Sequence, residues 1–199
     1  MKIIKFLLQY IRSPRTIGAV APSSERLAIK MVDDIDFENS ECIVEYGPGT
    51  GVFTDKLVER KKNDTLLILL ECNEVFCKQL EHRYNEKDNV IIINDSAENV
   101  DMYLEKYKIK NVDYVVSGLP FASLPKNTSN KILKKTRAIL KTKGSFITFQ
   151  YTLLKKEFIT NYFENIELER VILNVPPAYV LKCKNNRRDL IYVKENSNS

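Results

Sequence analysis

Residues 43–51 read Ile-Val-Glu-Tyr-Gly-Pro-Gly-Thr-Gly, an apolar strand that breaks into three glycines and then enters a helical pattern. Few folds accommodate that order of events. Glycine is required where the backbone turns sharply and where a ligand must approach it without a β-carbon in the way. The spacing is E-x-G-x-G-x-G. A dinucleotide fingerprint would be G-x-G-x-x-G, with its third glycine at position 52, and that residue is Val52. A carboxylate just ahead of the loop suits a ligand carrying a positive amine and a sulfonium better than one carrying a pyrophosphate.

The surrounding chain repeats the same βα logic. Short apolar, β-branched runs at 42–46, 65–71, 89–93, 112–117, 145–151, 166–173 and 179–184 alternate with amphipathic stretches at 23–34, 53–61, 74–84, 97–106, 128–140 and 155–163. This alternation predicts an α/β fold with a mostly parallel sheet and helices on both faces. Only residues 174–178, with Pro176 and Pro177, separate the last two strands, and so short a link predicts an antiparallel pair.

With 199 residues and 44% apolar content, the chain suffices for one well-cored α/β domain. Residues 1–34 read as an N-terminal amphipathic helix and cap segment, 35–194 as the cofactor-binding domain, and 195–199 as a frayed polar tail.

Two further positions converge on the glycine loop. The second strand ends in Glu71, about 20 residues beyond the loop, where an acid can bind both hydroxyls of a ribose. The third ends in Asn94-Asp95-Ser96-Ala97, offering Asp95 as an acceptor for an adenine amino group beside a small residue; taken singly, Asp95 is also a typical helix N-cap. Polar groups at the carboxyl ends of successive strands describe a nucleoside pocket, because ligands of open α/β sheets bind along that edge.

These residues resemble the class I S-adenosylmethionine-dependent methyltransferases from about Gly18 to Lys184. The resemblance implies a Rossmann-like three-layer sandwich with strand order 3-2-1-4-5-7-6 and an antiparallel seventh strand. It implies S-adenosylmethionine as cofactor and S-adenosylhomocysteine as product. Glu45, Gly47 and Gly49 would hold the methionine end, Glu71 the ribose, and Asp95 with Ala97 the adenine. Gly51, Cys72, Ser96 and Ser117 flank those positions and complete the expected cofactor site.

Two branches of that superfamily compete at the end of the fourth strand, where the chain reads Ser117-Gly118-Leu119-Pro120-Phe121. In the ribosomal RNA adenine dimethylases the corresponding stretch looks like Asn-Leu-Pro-Tyr, whose asparagine accepts from the base amine while the ring stacks on it. Gly118 has no side chain with which to accept, although Phe121 retains a ring. Residues 118–125, Gly-Leu-Pro-Phe-Ala-Ser-Leu-Pro, look like the bacterial phospholipid N-methyltransferases, as does the segment 17–24. Phe149-Gln150-Tyr151 and Val175-Pro176-Pro177-Ala178 add similarity to that branch. The lipid branch implies transfer of a methyl group to a headgroup amine, as in phosphatidylethanolamine. Adenine N6 of ribosomal RNA, a small amine, and a non-catalytic cofactor-binding scaffold are the alternatives.

On this resemblance the acceptor is expected to meet Tyr10, Tyr151, the carbonyl of Leu119 and the ring of Phe121. An ammonium with a pKa near roughly 10 must lose a proton before its nitrogen can attack the methyl carbon. No general base is apparent in the sequence.

Residues 1–12 place Lys2, Lys5, Gln9 and Arg12 at helical spacing against a wide apolar face. Such a helix can lie among anionic headgroups or pack on its own domain. The basic cluster Lys182, Lys184, Arg187 and Arg188, in a chain of net charge +5, can meet the phosphates of a membrane or of RNA, or simply form a solvated face. No run approaches the roughly 20 apolar residues of a bilayer span, and the N-terminus makes a poor export signal because Arg12 and Arg15 interrupt it. The expected location is cytoplasmic, peripheral on the inner face of the membrane. Cysteines 42, 72, 77 and 183 form no C-x-x-C pair and His82 is the lone histidine, so no metal site is expected.

Overall fold

The computed structural model describes residues 22–153, 156–172, 174 and 176–185. The elements in chain order are α1 (Pro22–Val32), β1 (Cys42–Tyr46), α2 (Val52–Arg60), β2 (Leu66–Leu70), α3 (Glu74–Tyr84), β3 (Val90–Ile93), a 3-10 turn (Ala97–Asn99), α4 (Val100–Lys106), β4 (Val112–Ser117), α5 (Lys126–Ile139), β5 (Leu140–Gln150), α6 (Lys156–Thr160), β6 (Asn165–Val171) and β7 (Ala178–Lys184).

The strands form one sheet in the order β3-β2-β1-β4-β5-β7-β6. Strands β1 to β5 pair in parallel, and β7 runs antiparallel to both β5 and β6. This is the order implied by the methyltransferase resemblance, and the antiparallel sense of β7 is the one expected from the short 174–178 link. Strand β6 therefore ends on the same edge of the sheet as β5.

Alternation along the strands builds two cores. Val44, Tyr46, Ile68, Val115 and Phe146 face one layer with Ile132, Leu133 and Phe163. Ile43, Leu67, Leu69, Val116 and Ile147 face the other with Leu27, Met31, Leu57 and Leu80. All five residues of β1 are buried, which is why the central strands lack a polar face. Helix α1 joins the second core, and Lys30 reaches Glu169 on β6 at 2.8 Å.

Three elements differ from the sequence expectation. Strand β5 begins at Leu140 rather than at 145, because Leu140 already pairs with Val112 and the polar run Lys141–Gly144 is carried as an irregularity between that pair and the Tyr114–Ser145 pair. The helix expected over 97–106 divides at Asn99 into a 3-10 turn and α4; Ser96 caps the first piece by accepting from the Glu98 N–H. Helix α6 is shorter than the 155–163 pattern.

Of the basic cluster near the C-terminus, Lys182 is buried between Asp34 at 2.5 Å and Glu169 at 3.1 Å, while Lys184 is exposed and pairs with Glu167 at 2.5 Å on the surface. Arg187 and Arg188 lie outside the described residues, as do Tyr10, the amphipathic stretch 1–12 and the polar tail.

Candidate active site

The carboxyl ends of β1, β2, β3 and β4 meet at one edge, and the loop leaving β1 is shaped by its glycines. Gly47, Gly49 and Gly51 have φ of 62°, 56° and 86°, all in the left-handed region that disfavours side chains. The loop is pinned from three sides. Gly47 N–H donates to the Leu70 carbonyl at 2.9 Å, Gly49 N–H donates to Glu71 Oε2 at 3.0 Å, and Arg83 Nη1 donates to the Thr50 carbonyl at 3.0 Å. A β-carbon built on Gly49 would meet nothing within 4 Å, so this residue opens onto clear space at the sheet edge.

Glu71 closes β2. Its Oε1 accepts from the Asn73 N–H at 2.8 Å while Oε2 holds Gly49, so the side chain is fixed and is only 8% exposed. Each carboxylate oxygen retains a further lone pair for a hydroxyl donor. Asp95, past β3, accepts from the Ser96 N–H at 2.6 Å, from Asn99 Nδ2 at 3.0 Å and from the Tyr103 hydroxyl at 2.8 Å. These donors, Tyr103 foremost, hold its carboxyl below the usual range. Ala97 is buried beside it, and Cys72 is exposed, its thiol directed at the Asp95 carbonyl at 3.6 Å.

Glu45 occupies a different setting. It is fully buried in β1, its Oε2 accepts from the Thr54 hydroxyl of α2 at 2.8 Å, and its Oε1 has no partner. Burial pushes its carboxyl up to about 8, with the Thr54 hydrogen bond opposing and the nearby negative charge of Glu71 adding to the rise.

The 117–121 turn sits against this loop. Gly118 N–H donates to the Tyr46 carbonyl at 2.8 Å, and a β-carbon on Gly118 would fall 2.6 Å from the Gly47 carbonyl oxygen. Position 118 thus has no room for a side chain while the glycine loop keeps this conformation. Buried Ser117 accepts from the Leu119 N–H at 3.2 Å, and the Leu119 carbonyl accepts from Phe121 N–H at 3.0 Å. The Phe121 ring, 1% exposed, packs edge-on against Phe146 at 5.9 Å, in the core rather than on the cleft. Tyr151 stands at the other side of the sheet edge, linked edge-to-face to Phe149 at 5.3 Å and through it to Phe53 at 5.7 Å, directly after the glycine loop. Thr54, Asn73, Asn99 and Tyr103 were not singled out by sequence; Asn73 alone carried a readable signal, as the N-cap of α3.

The profile of the ribosomal RNA adenine dimethylase family matches residues 23–166. The chain belongs to that family. Its fold and its edge of glycines and acids are those of a methyltransferase, and S-adenosylmethionine is its cofactor. The ornithine lipid N-methyltransferase of Singulisphaera acidiphila is 29% identical over 90% of this chain and 94% of its own length. The ribosomal RNA small subunit methyltransferase A of Thermotoga neapolitana is 29% identical over 59% of this chain, and the match spans 45% of that longer protein. Among solved structures, the N-methyltransferase NodS of Bradyrhizobium japonicum, in complex with S-adenosyl-L-homocysteine, superposes with a TM-score of 0.69 at 12% identity, covering 89% of this chain and 97% of NodS.

The residues present fit that cofactor. Gly49 leaves open space at the edge, Glu45 keeps a buried carboxyl oxygen without a partner, and Glu71 is held rigid with lone pairs to spare. Among the described residues no group of histidines, cysteines and acids could hold a metal ion.

Proposed function

We propose that this methyltransferase acts on the amine of a lipid headgroup of the phosphatidylethanolamine type, at an anionic membrane surface. The observation that carries the reading is Gly118. Its missing side chain is enforced by the Gly47 carbonyl 2.6 Å from where a β-carbon would lie, so the asparagine of the RNA-dimethylase motif has no place here. The neighbouring ring, Phe121, is turned into the core and offers no open face to a base. The similarity to the ornithine lipid enzyme also runs over most of the chain, whereas that to the RNA enzyme runs over 59% of it. Methylation of ribosomal RNA adenine is the second reading, favoured by the family profile itself.

Bound cofactor supplies a methyl group on a sulfonium, open to in-line attack by an amine lone pair. The protein's own part is positioning, which accounts for several kcal/mol of barrier in reactions of this kind, about 7–11 kcal/mol in the best-oriented cases. Glu71 orients the ribose, Asp95 and Ala97 the adenine, and Glu45 with Gly47 and Gly49 the amino-acid end. Ser96, Cys72, Gly51 and Ser117 shape the walls of that cleft. The Leu119 carbonyl has a second lone pair for an amine N–H. Tyr151, at the end of the Phe53–Phe149 aromatic chain, favours a cationic methylated product by attraction to its ring. Incubation with S-adenosylmethionine and phosphatidylethanolamine vesicles should yield N-methylated headgroups by mass spectrometry; unmodified headgroups alongside intact cofactor binding would reject the lipid assignment.

A further inference from the structure

Gln150, the last residue of β5, is 4% exposed, yet neither Oε1 nor Nε2 of its amide has a hydrogen-bond partner. Leaving both halves of an amide unpaired in a dry site is costly, and folded proteins satisfy nearly all such groups. An amide left unsatisfied at the sheet edge where this fold binds its ligands points to a partner that arrives with the substrate. Its position supports that. Ser117 pairs with Thr148 across β4 and β5, so Gln150 lies level with Leu119 of the adjoining turn.

The row continues outward on the same face. Gln150 pairs directly with Tyr179 on β7, and Tyr179 pairs directly with Arg170 on β6, whose guanidinium lies 5.8 Å from the Tyr179 ring centroid. Arg170 is exposed and makes no ion pair with a described carboxylate, because Glu169 points to the opposite face toward Lys30 and Lys182. A buried neutral amide beside the turn and a free guanidinium two strands away are separated by about 10 Å of sheet. The Arg170 guanidinium lies over the Tyr179 ring, on the strand between the two.

We propose that Gln150, Tyr179 and Arg170 form the acceptor subsite: the Gln150 carbonyl takes an N–H of the neutral amine, and Arg170 binds the anionic group, phosphate or carboxylate, of the same headgroup. Gln150 and Arg170 thereby select amines that carry a nearby negative charge over simple amines. The headgroup reaches the amide by displacing the half-buried Leu119 side chain. This inference rests on the lipid-amine reading.

The test compares wild type, Gln150→Leu and Arg170→Gln on vesicles of phosphatidylethanolamine and on vesicles of an aminoethyl diglyceride that lacks the phosphate. Gln150→Leu removes an unpaired buried amide at nearly constant volume, so its melting temperature should rise while kcat on phosphatidylethanolamine falls about tenfold. A merely structural role would lower both stability and activity. Arg170→Gln should raise KM for phosphatidylethanolamine about tenfold with kcat and cofactor affinity unchanged, and should leave the phosphate-free lipid unaffected. Wild-type kinetics in either variant, or equal KM changes on both lipids, would overturn the subsite. If wild type itself labels neither lipid, the lipid reading fails, and the subsite with it.

Discussion

A carboxylate that grips two backbone N–H groups and one sealed in a core with a single hydroxyl respond differently to substitution, and the cleft contains one of each. Glu71 holds Gly49 and Asn73 and faces the ribose position. Glu71→Ala removes the anchor of the glycine loop together with the ribose acceptors, and calorimetry should show cofactor affinity reduced by at least about tenfold, the scale of one charged hydrogen bond; unchanged affinity would contradict the assigned pocket. Glu45 shows the reverse behaviour. Its carboxyl is raised to about 8 in the folded chain from an ordinary value of 4.5, so the native state keeps a proton that the unfolded chain has lost. The resulting stability is fully present below pH 4.5 and is lost as pH rises toward 8, at up to about 1.4 kcal/mol per pH unit. Urea denaturation of the cofactor-free protein should show this decline, and Glu45→Gln should flatten it; identical pH profiles would mean that Glu45 ionises normally. The sequence made Glu71 legible, because a lone acid ending an apolar strand has few other uses. It could not reveal that the Glu45 carboxyl is pushed up, since that depends on the complete burial of the side chain between the layers. Gln150 stood in the sequence only within the Phe149-Gln150-Tyr151 similarity, where nothing marks its amide as buried and unpaired.

Packing between elements keeps the glycine loop in shape. Tyr84, at the end of α3, donates to Asp55 of α2 at 2.7 Å and lies beneath Gly51, where a β-carbon would come within 3.0 Å of its hydroxyl. Tyr84→Phe leaves Asp55 the Arg83 guanidinium at 3.3 Å but removes the hydroxyl, and should cost about 1 kcal/mol in chemical denaturation with a parallel loss of cofactor affinity. A stability loss with affinity intact would show that α3 supports the fold and not the loop. At this scale the sequence was informative wherever periodicity was strong. Residues 112–117 and 74–84 form the elements their patterns predict, and the short 174–178 link fixed the sense of β7. It failed where an irregular polar stretch, Lys141–Gly144, sits between two paired positions of one strand, and where the Ser96 cap and the Asp95–Asn99 bond accompany the division of a continuous helical pattern into two pieces.

For the molecule as a whole, the sheet order and the glycine edge identify a methyltransferase, while the choice of acceptor rests on one close approach. No helix among the described residues is long and apolar enough to cross a membrane. The net charge of +5 favours an anionic partner, whether lipid headgroups or RNA phosphates. The two readings part at the turn after β4, where Gly118 stands against Gly47. The decisive measurement is transfer of labelled methyl from S-adenosylmethionine in a single reaction containing phosphatidylethanolamine vesicles with an anionic lipid and unmodified ribosomal RNA, followed by separation of the two. Label in the lipid fraction is the predicted result; label confined to the RNA would contradict the lipid assignment while leaving the cofactor site intact.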